Sequence, residues 1–203
     1  MKFTDWEPTY EAILADFGFD RAADEAVRDR AAVFAKPFDL DRLDCAGASV
    51  AVAGAGPSLE STSDLELARG ADLVFAASTA TDRLVAEGVT VDAMVTDLDK
   101  NPDTGRARTE RGAVVVAHAH GDNGDLVDEW LPRYDAANTL VTTQAAPVDA
   151  VANYGGFTDG DRAAFLADHC GADRLVFPRW GFHDPHVDGM KARKLDWAER
   201  ALR

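Results

Sequence analysis

From about residue 49 onward, short apolar segments alternate with segments of helical character, and this alternation restricts the possible folds more than any other feature of the chain. The apolar segments are 49–53, 72–76, 93–96, 113–117, 139–142 and 175–177. The helical segments are 63–69, 80–87, 123–130, 160–169 and 189–201. Strands that are apolar on both faces and alternate with helices are typical of a parallel sheet covered on both sides. We therefore predict a Rossmann-like three-layer α/β domain with a mostly parallel sheet over residues 46–203.

Residues 1–45 carry a different pattern, which predicts an N-terminal pair of helices. Apolar residues recur three or four positions apart over 6–17, and a second apolar stripe follows over 20–35. Gly18 separates the stripes, and glycine commonly ends a helix. The second helix must end before Pro37, because the residue preceding a proline avoids the helical conformation.

The composition excludes several classes of partner. Of the 36 acidic residues 27 are Asp, only 5 of the 21 basic residues are Lys, and the net charge is −15. This excess repels nucleic acids and anionic membranes, so neither is an expected partner. An Asp-rich, Lys-poor surface is also typical of cytosolic proteins of extreme halophiles, in which salt screens the repulsion. With no signal-like start and no apolar run near the length of about 18 residues that a membrane span needs, we expect a cytoplasmic protein.

Ligands of open parallel sheets bind beyond the carboxyl ends of the strands, and five segments at that edge are rich in Gly, Asp, His and Thr. Gly54-Ala55-Gly56-Pro57-Ser58 follows the first strand. Its two glycines let the backbone approach a phosphate, which predicts nucleotide binding by Gly54, Gly56 and Ser58. The segment is neither a complete GxGxxG nor a Walker A loop. The alternative is a tight turn in which Ser58 caps the next helix.

Asp97 and Asp99 follow the third predicted strand. In an extended chain, residues i and i+2 lie on one face about 6.6 Å apart, so both carboxylates can reach one cation. Hard oxygen ligands at a sheet edge suit Mg²⁺, which binds a few carboxylates together with water and phosphate oxygens. The alternative is that both are solvated surface acids.

The segment from His118 to Asn123 follows the fourth strand and contains a His-x-His pair. We predict that His120, Asp122 and Asn123 contact phosphate or metal-bound water, with Asp122 as a further metal ligand. A His-x-His pair can also bind zinc, as in barrel hydrolases, but 203 residues are too few for a barrel of about 250 residues. Alternatively, His118 packs in the core and His120 caps the following helix.

Further polar residues follow the fifth strand. Thr143 directly follows this strand, and a glycine-rich segment then opens a helix with Thr158, Asp159 and Arg162. Together they offer a hydroxyl, a carboxylate and a guanidinium that can bind phosphate through two hydrogen bonds, although Arg162 can equally form an ordinary salt bridge. Lys191 is one of two lysines spaced three apart on the last helix, where it faces either a ligand or solvent.

Four motifs, GAGPSL, VTDLD, HAHGDN and GGFTDGDRA, occur in an order and at spacings that resemble the archaeal 6-hydroxymethyl-7,8-dihydropterin pyrophosphokinase family, which is similar in fold to thiamine pyrophosphokinase. The resemblance extends from about Val50 to Ala198 and departs from the family pattern at 178–184. It implies Mg²⁺-dependent transfer of diphosphate from ATP to a pterin alcohol, with release of AMP, in folate or methanopterin synthesis.

The resemblance also implies roles for the candidate residues. The implied Mg²⁺ ligands are Asp97, Asp99 and Asp122. The implied phosphate- and nucleotide-binding residues are Gly54, Gly56, Ser58, Asn123, Thr143, Thr158, Arg162 and Lys191. Asp159 or His120 would orient or deprotonate the acceptor hydroxyl. The alternatives are a thiamine pyrophosphokinase, a nucleotide-sugar glycosyltransferase, in which GPSL also occurs, and a non-catalytic nucleotide sensor. A homodimer is left open.

Overall fold

A computed structural model describes residues 1–56, 59, 61–178, 180 and 187–202. The strands β1 to β6 are, in chain order, Ser49–Ala53, Leu73–Ala77, Ala93–Thr96, Val114–Ala119, Thr139–Thr143 and Arg174–Val176. They form one sheet of order β5-β4-β3-β2-β1-β6, and each of these pairings is parallel. The predicted three-layer α/β fold is confirmed, and each of these strands lies within two residues of its predicted bounds.

The helices α1 to α8 are Phe3–Phe17, Arg21–Ala32, Thr62–Arg69, Ala80–Ala86, Pro102–Glu110, Gly124–Trp130, Asp159–His169 and Gly189–Ala201. Short 3-10 helices cover Leu40–Leu43, Leu131–Arg133 and Ala136–Asn138. Helix α5 was not predicted, because its buried residues are only Gly105 and Thr109 and it therefore has no apolar stripe. Among the described helices, none is long and apolar enough to cross a membrane.

Alternate residues of the strands face opposite layers of helices. Val52 and Phe75 pack with Ala163 and its neighbours in α7, which covers β1 to β3 on one face. On the other face α3 and α4 cover β1 and β2, whereas α2 and α6 cover β3 to β5. Both faces of the sheet are therefore buried, which is the physical reason for its continuous apolar strands.

The two N-terminal helices lie on opposite sides of the sheet. The ring of Trp6 in α1 is 5.6 Å from that of Phe165 on the outer side of α7. Val27 of α2 instead packs in the core on the opposite face. Gly18 ends α1 with φ +71°, as predicted. The second helix ends at Ala32, short of the predicted residue 35. The corner between α1 and α2 consequently passes beyond the carboxyl ends of the strands.

Candidate active site

A cavity of about 120 Å³ lies beyond the carboxyl ends of β3, β4 and β5. The loops after these strands form its floor. The start of α7, the corner between α1 and α2, and α8 form its walls. Of the residues predicted from the sequence, the structure brings seven to this cavity, and six of these are Asp97, His120, Asp122, Thr158, Asp159 and Arg162. Lys191 joins them from the last helix.

The turn after β3 brings Asp97 and Asp99 together in an unexpected way. Leu98, between them, has a left-handed backbone with φ +69°, and its side chain is fully buried. The segment is thus not extended, contrary to the expectation from the sequence, yet the two residues stay in contact, because the backbone of Asp99 donates to Oδ1 of Asp97 at 3.4 Å. A non-glycine residue held in this conformation stores strain of about 1–3 kcal/mol, and such strain is concentrated at functional sites.

The pKa values of Asp97 and Asp99 are shifted in opposite directions. Burial by itself would raise the pKa of Asp97, but interactions with the side chains of His120 and Asp99, and the charge of Arg162, outweigh it and lower that pKa below its ordinary value. Burial and the proximity of Asp97 raise the pKa of Asp99. Asp97 is therefore the anion of the pair, and Asp99 is the carboxyl that retains the proton at the higher pH.

The same pair fits a Mg²⁺ ion. A cation bound beside Asp97 and Asp99 would find carboxylate oxygens from both, and Mg²⁺ in proteins usually needs only one or two carboxylates besides water and substrate phosphates. The exposed Asp122 lines the same cavity. In the described part of the chain, no three His, Cys, Asp or Glu side chains are clustered as metal ligands.

Asn123 joins the loops after β3 and β4. Its Nδ2 group donates to the carbonyl oxygens of Asp97, at 2.8 Å, and His118, at 2.7 Å, while its Oδ1 accepts from the backbone of His120 at 3.0 Å. Nε2 of His120 lies 3.8 Å from a carboxylate oxygen of Asp97. The side chain of Asn123 thus fixes the two loops relative to each other, and its predicted contact with the nucleotide stays a prediction.

Arg162 is held rigidly at the start of α7. Its guanidinium donates to Asp159 at 3.1 Å, to Oε1 of Gln144 at 3.0 Å and to the carbonyl oxygen of Phe157 at 2.7 Å, and its side chain is only 8% exposed. Burial and the charge of Asp97 raise the pKa of Asp159 to about 7 in spite of the nearby Arg162. The ion pair therefore combines a fixed cation with a carboxyl group that can exchange a proton near neutral pH.

A buried carboxylate connects the N-terminal helices to these loops. Asp24 in α2 is 4% exposed, and it accepts from Tyr10 at 2.8 Å, from the backbone of Gly121 at 2.6 Å and from Nε2 of Gln144 at 3.5 Å. Because Gln144 also accepts from Arg162, a continuous chain of hydrogen bonds runs from α1 to the guanidinium. The helix pair therefore belongs to the architecture of the site.

The lysines of this chain are concentrated at the cavity. Lys100, Lys191 and Lys194 line it, and these are three of the five lysines in the sequence. The pKa of Lys191 is lowered mainly by burial and, to a smaller extent, by repulsion from Lys100. Nζ of Lys194 lies 5.6 Å from the ring centre of Phe157. Such a group of cations in a protein of net charge −15 indicates an anionic ligand.

His118 and Thr143 lie below the main cavity. His118 is buried, its Nδ1 lies 3.0 Å from Oγ1 of Thr142, and burial lowers its pKa well below the ordinary value. This confirms the core-packing interpretation of His118. Thr143 accepts from the backbone of Ala145 and borders a separate cavity of about 10 Å³, beside His118 and Arg162. The predicted binding role of Thr143 stays a prediction.

The glycine turn after β1 lies two strands away from Asp97 in the sheet. Arg83 in α4 donates to the carbonyl oxygen of Gly56 at 2.6 Å, and the backbone of Gly54 donates to that of Pro178, after β6, at 3.4 Å. Ser58 lies outside the described residues. The next helix, α3, has Ser61 as its N-cap.

Comparison with known proteins identifies the family. A family model described as "6-hydroxymethylpterin diphosphokinase MptE-like" matches residues 30–178, well over half of the chain. The chain belongs to this MptE-like family. The matched region contains β1 to β6 and the loops at the floor of the cavity. The family resemblance inferred from the four motifs is thereby confirmed.

Three curated relatives of this MptE-like chain bear the name 6-hydroxymethyl-7,8-dihydropterin pyrophosphokinase. The protein of Methanothermobacter thermautotrophicus is 37% identical, with 100% of this chain and 94% of the relative covered. That of Pyrococcus furiosus is 40% identical over 90% of this chain and 79% of its own length. The protein of Methanocaldococcus jannaschii is 28% identical over 100% of this chain and 95% of its own length.

Several residues at the site of this MptE-like chain were not among the predicted site residues. Asp24, Gln144, Lys100 and Phe19 all line the cavity. A signal for Asp24 is present, because it lies three residues before Val27 on the apolar stripe of α2. An acid in such a stripe is buried and therefore needs partners. No comparable signal distinguishes Gln144, whose role depends on two hydrogen bonds across the fold.

Proposed function

We propose that this chain transfers diphosphate from ATP to 6-hydroxymethyl-7,8-dihydropterin, with Mg²⁺, and releases AMP. The observation that carries the proposal is the convergence of Arg162 and three of the five lysines on a cavity that Asp97 also lines, with Asp99 two residues further along the same turn. Polyphosphate binding needs such cations, and a divalent ion needs such carboxylates. The family and the names of the relatives supply the acceptor.

The chain's own residues bind the charged part of ATP. Lys100, Lys191 and Lys194 approach the cavity from the loop after β3 and from α8, so that they contact the phosphates from different sides. Asp97 and Asp99 would hold Mg²⁺, and the exposed Asp122 lies at the same cavity. When bound, the ion neutralises phosphate charge and polarises the phosphoryl group that is attacked.

Transfer proceeds by displacement at the β-phosphorus. The acceptor hydroxyl oxygen forms a bond to this phosphorus, and the bond to the oxygen that bridges the α- and β-phosphorus atoms breaks, so AMP departs with the electron pair. Arg162 is fixed by three hydrogen bonds, and its guanidinium stabilises the charge that develops in this step without reorganising. The protein contributes mainly positioning and electrostatic stabilisation, as is usual for phosphoryl-type transfer.

The hydroxyl proton passes to Asp159. Its pKa of about 7 keeps a substantial fraction ionised at neutral pH, while the group remains basic enough to accept a proton. The carboxylate is nearly buried, with a side chain 13% exposed, and it lies beside Arg162 at the cavity wall. His120 contributes by orienting Asp97. The product would then enter folate- or methanopterin-type cofactor synthesis.

The test is an assay of the purified protein with ATP, Mg²⁺ and either the pterin alcohol or thiamine. We expect AMP, not ADP, and only with the pterin. Arg162→Met should lower kcat by about 10²-fold, as the loss of one electrostatic stabiliser does. The matched control is Arg133→Met, which removes an exposed arginine paired with Glu129 and should leave kcat unchanged. ADP as the product, or equal turnover of thiamine, would refute the proposal.

A further inference from the structure

The cavity has an aromatic wall that the proposed transfer step does not use. Phe19 and Phe157 both line it. The ring of Phe17 stacks on that of Phe19 with centroids 5.1 Å apart, and it is tilted against that of Phe157 at 5.3 Å. Phe17 thus holds both rings in place. Fixed aromatic side chains beside a polar cavity are suited to a flat ring system, which they contact over a large area.

The carboxylate of Asp20, which can accept further hydrogen bonds, lies next to this wall. One oxygen of Asp20 accepts from the backbone of Ala22 at 2.9 Å, and the other has no hydrogen-bond partner in the described part of the chain. The neighbouring Asp24 is different, because Tyr10, Gly121 and Gln144 already donate to it. Asp20 is therefore the acid at this corner that is available to a ligand.

The sheet order separates this wall from the expected nucleotide end. The chain forms β1 to β5 in consecutive positions and then returns to place β6 beside β1. Ligands of open α/β sheets bind where the strand order reverses, so the nucleotide is expected near Gly54 and Gly56, after β1. The corner that carries Phe19 and Asp20 lies beyond β4 and β5, because the nearby Asp24 accepts from Gly121 and Gln144 in the loops after these strands, and β3 with Asp97 lies between them and β1. With about 4.8 Å between strands, β1 and β3 are about 10 Å apart.

We propose that Phe19 and Asp20 form the pocket for the heteroaromatic acceptor, with the buried Phe157 supporting Phe19 through Phe17, an assignment that rests on the proposed function. A pterin carries a ring N–H and an amino group side by side, and one carboxylate can accept from both. The hydroxymethyl group is at the opposite end of the ring system. A pterin held by Asp20 and stacked on the aromatic wall therefore directs its alcohol toward Asp159 and the phosphates.

The experiment measures binding without turnover. The Kd of 6-hydroxymethyl-7,8-dihydropterin is determined by calorimetry in the presence of a non-hydrolysable ATP analogue, and the Kd of the analogue separately. Asp20→Asn preserves the helix cap, since Asn caps as well as Asp. It should weaken pterin binding about ten-fold or more, as should Phe19→Ala, and it should change the Kd of the analogue by less than about two-fold. Asp39→Asn, which alters a similar cap at Leu40–Leu43, is the control.

The possible results separate this proposal from the proposed function. Weaker pterin binding with unchanged nucleotide binding supports the pocket. Weaker nucleotide binding, or unchanged binding of both ligands, overturns it, because the wall would then hold the base or nothing. A wild-type protein that binds the ATP analogue but no pterin would refute the proposed function and the pocket together. Thermal melting of each variant verifies that it is folded, and Asp20→Asn decides the question if Phe19→Ala is unfolded.

Discussion

The hydrogen bond between Tyr10 and Asp24 provides a quantitative test of how the N-terminal helices support the site. Tyr10 is fully buried, and its hydroxyl donates to the carboxylate at 2.8 Å. A hydrogen bond to a charged group contributes about 1.5–3 kcal/mol, so Tyr10→Phe should lower the free energy of unfolding by that amount. In a chain of this length each kcal/mol shifts Tm by about 2–4 °C, which gives a decrease of about 3–12 °C.

Tyr134→Phe is the matched control. Tyr134 is also buried, and its hydroxyl donates at the same 2.8 Å, but to the neutral carbonyl oxygen of Pro102. A neutral hydrogen bond contributes only about 0.5–1.5 kcal/mol, so this variant should lose about half as much stability. The difference between the two variants isolates the charge on Asp24.

A double-mutant cycle completes the test. Asp24→Asn removes the charge, so Tyr10→Phe should cost less in that background, with a coupling of about 1–2 kcal/mol by urea unfolding. Asp24→Asn should also lower kcat about ten-fold, because its single amide oxygen cannot replace both carboxylate oxygens, one of which accepts from Gly121 and the other from Gln144. Strict additivity, or equal losses for Tyr10→Phe and Tyr134→Phe, would show that Asp24 does not anchor the site.

Three further predictions concern the metal, pH and salt. Asp97→Asn should lower kcat by about 10²-fold in a Mg²⁺ titration, whereas the exposed Asp103→Asn should have no effect, and wild-type turnover in both would place the metal elsewhere. Because burial keeps His118 neutral in the folded protein while the unfolded chain binds a proton, the free energy of unfolding should fall by up to about 1.4 kcal/mol per pH unit as pH decreases below about 6.5. Urea unfolding should show a shallower dependence for His118→Asn, and an unchanged slope would contradict this assignment. With a net charge of −15, Tm should rise as KCl increases from about 0.1 M to about 1 M, and a flat response would identify the acids as ordinary surface residues.

The fold was predictable where local sequence pattern and burial coincide. The strands are apolar on both faces because helices cover both, so each appears in the sequence as an uninterrupted apolar segment. The residues at their carboxyl ends could be placed together because parallel strands end at the same edge. Helix α5 has no such pattern, since it packs through Gly105 and Thr109 instead of an apolar stripe.

The site was predictable only in part, because several of its contacts are long-range. Asp97 and Asp99 were identified from their spacing, but the left-handed turn at Leu98 that unites them has no signature in a leucine. Likewise, nothing local in the sequence indicates that Gln144 connects Asp24 to Arg162. The domain division at residue 45 stays a prediction. Nothing local in the sequence indicates that α1 and α2 pack on opposite sides of the sheet.

The position of α7 also determines when the chain can fold during synthesis. This helix covers β1 to β3, yet it begins only at Asp159, after β5 has been made. Until α7 leaves the ribosome, the apolar side chains of Val52, Phe75 and Val95 have no cover. Contacts between segments so distant in sequence form slowly and leave the nascent chain exposed to aggregation. We expect ribosome-bound chains that end before α7 to bind chaperones, and to acquire protease resistance only once this helix has emerged.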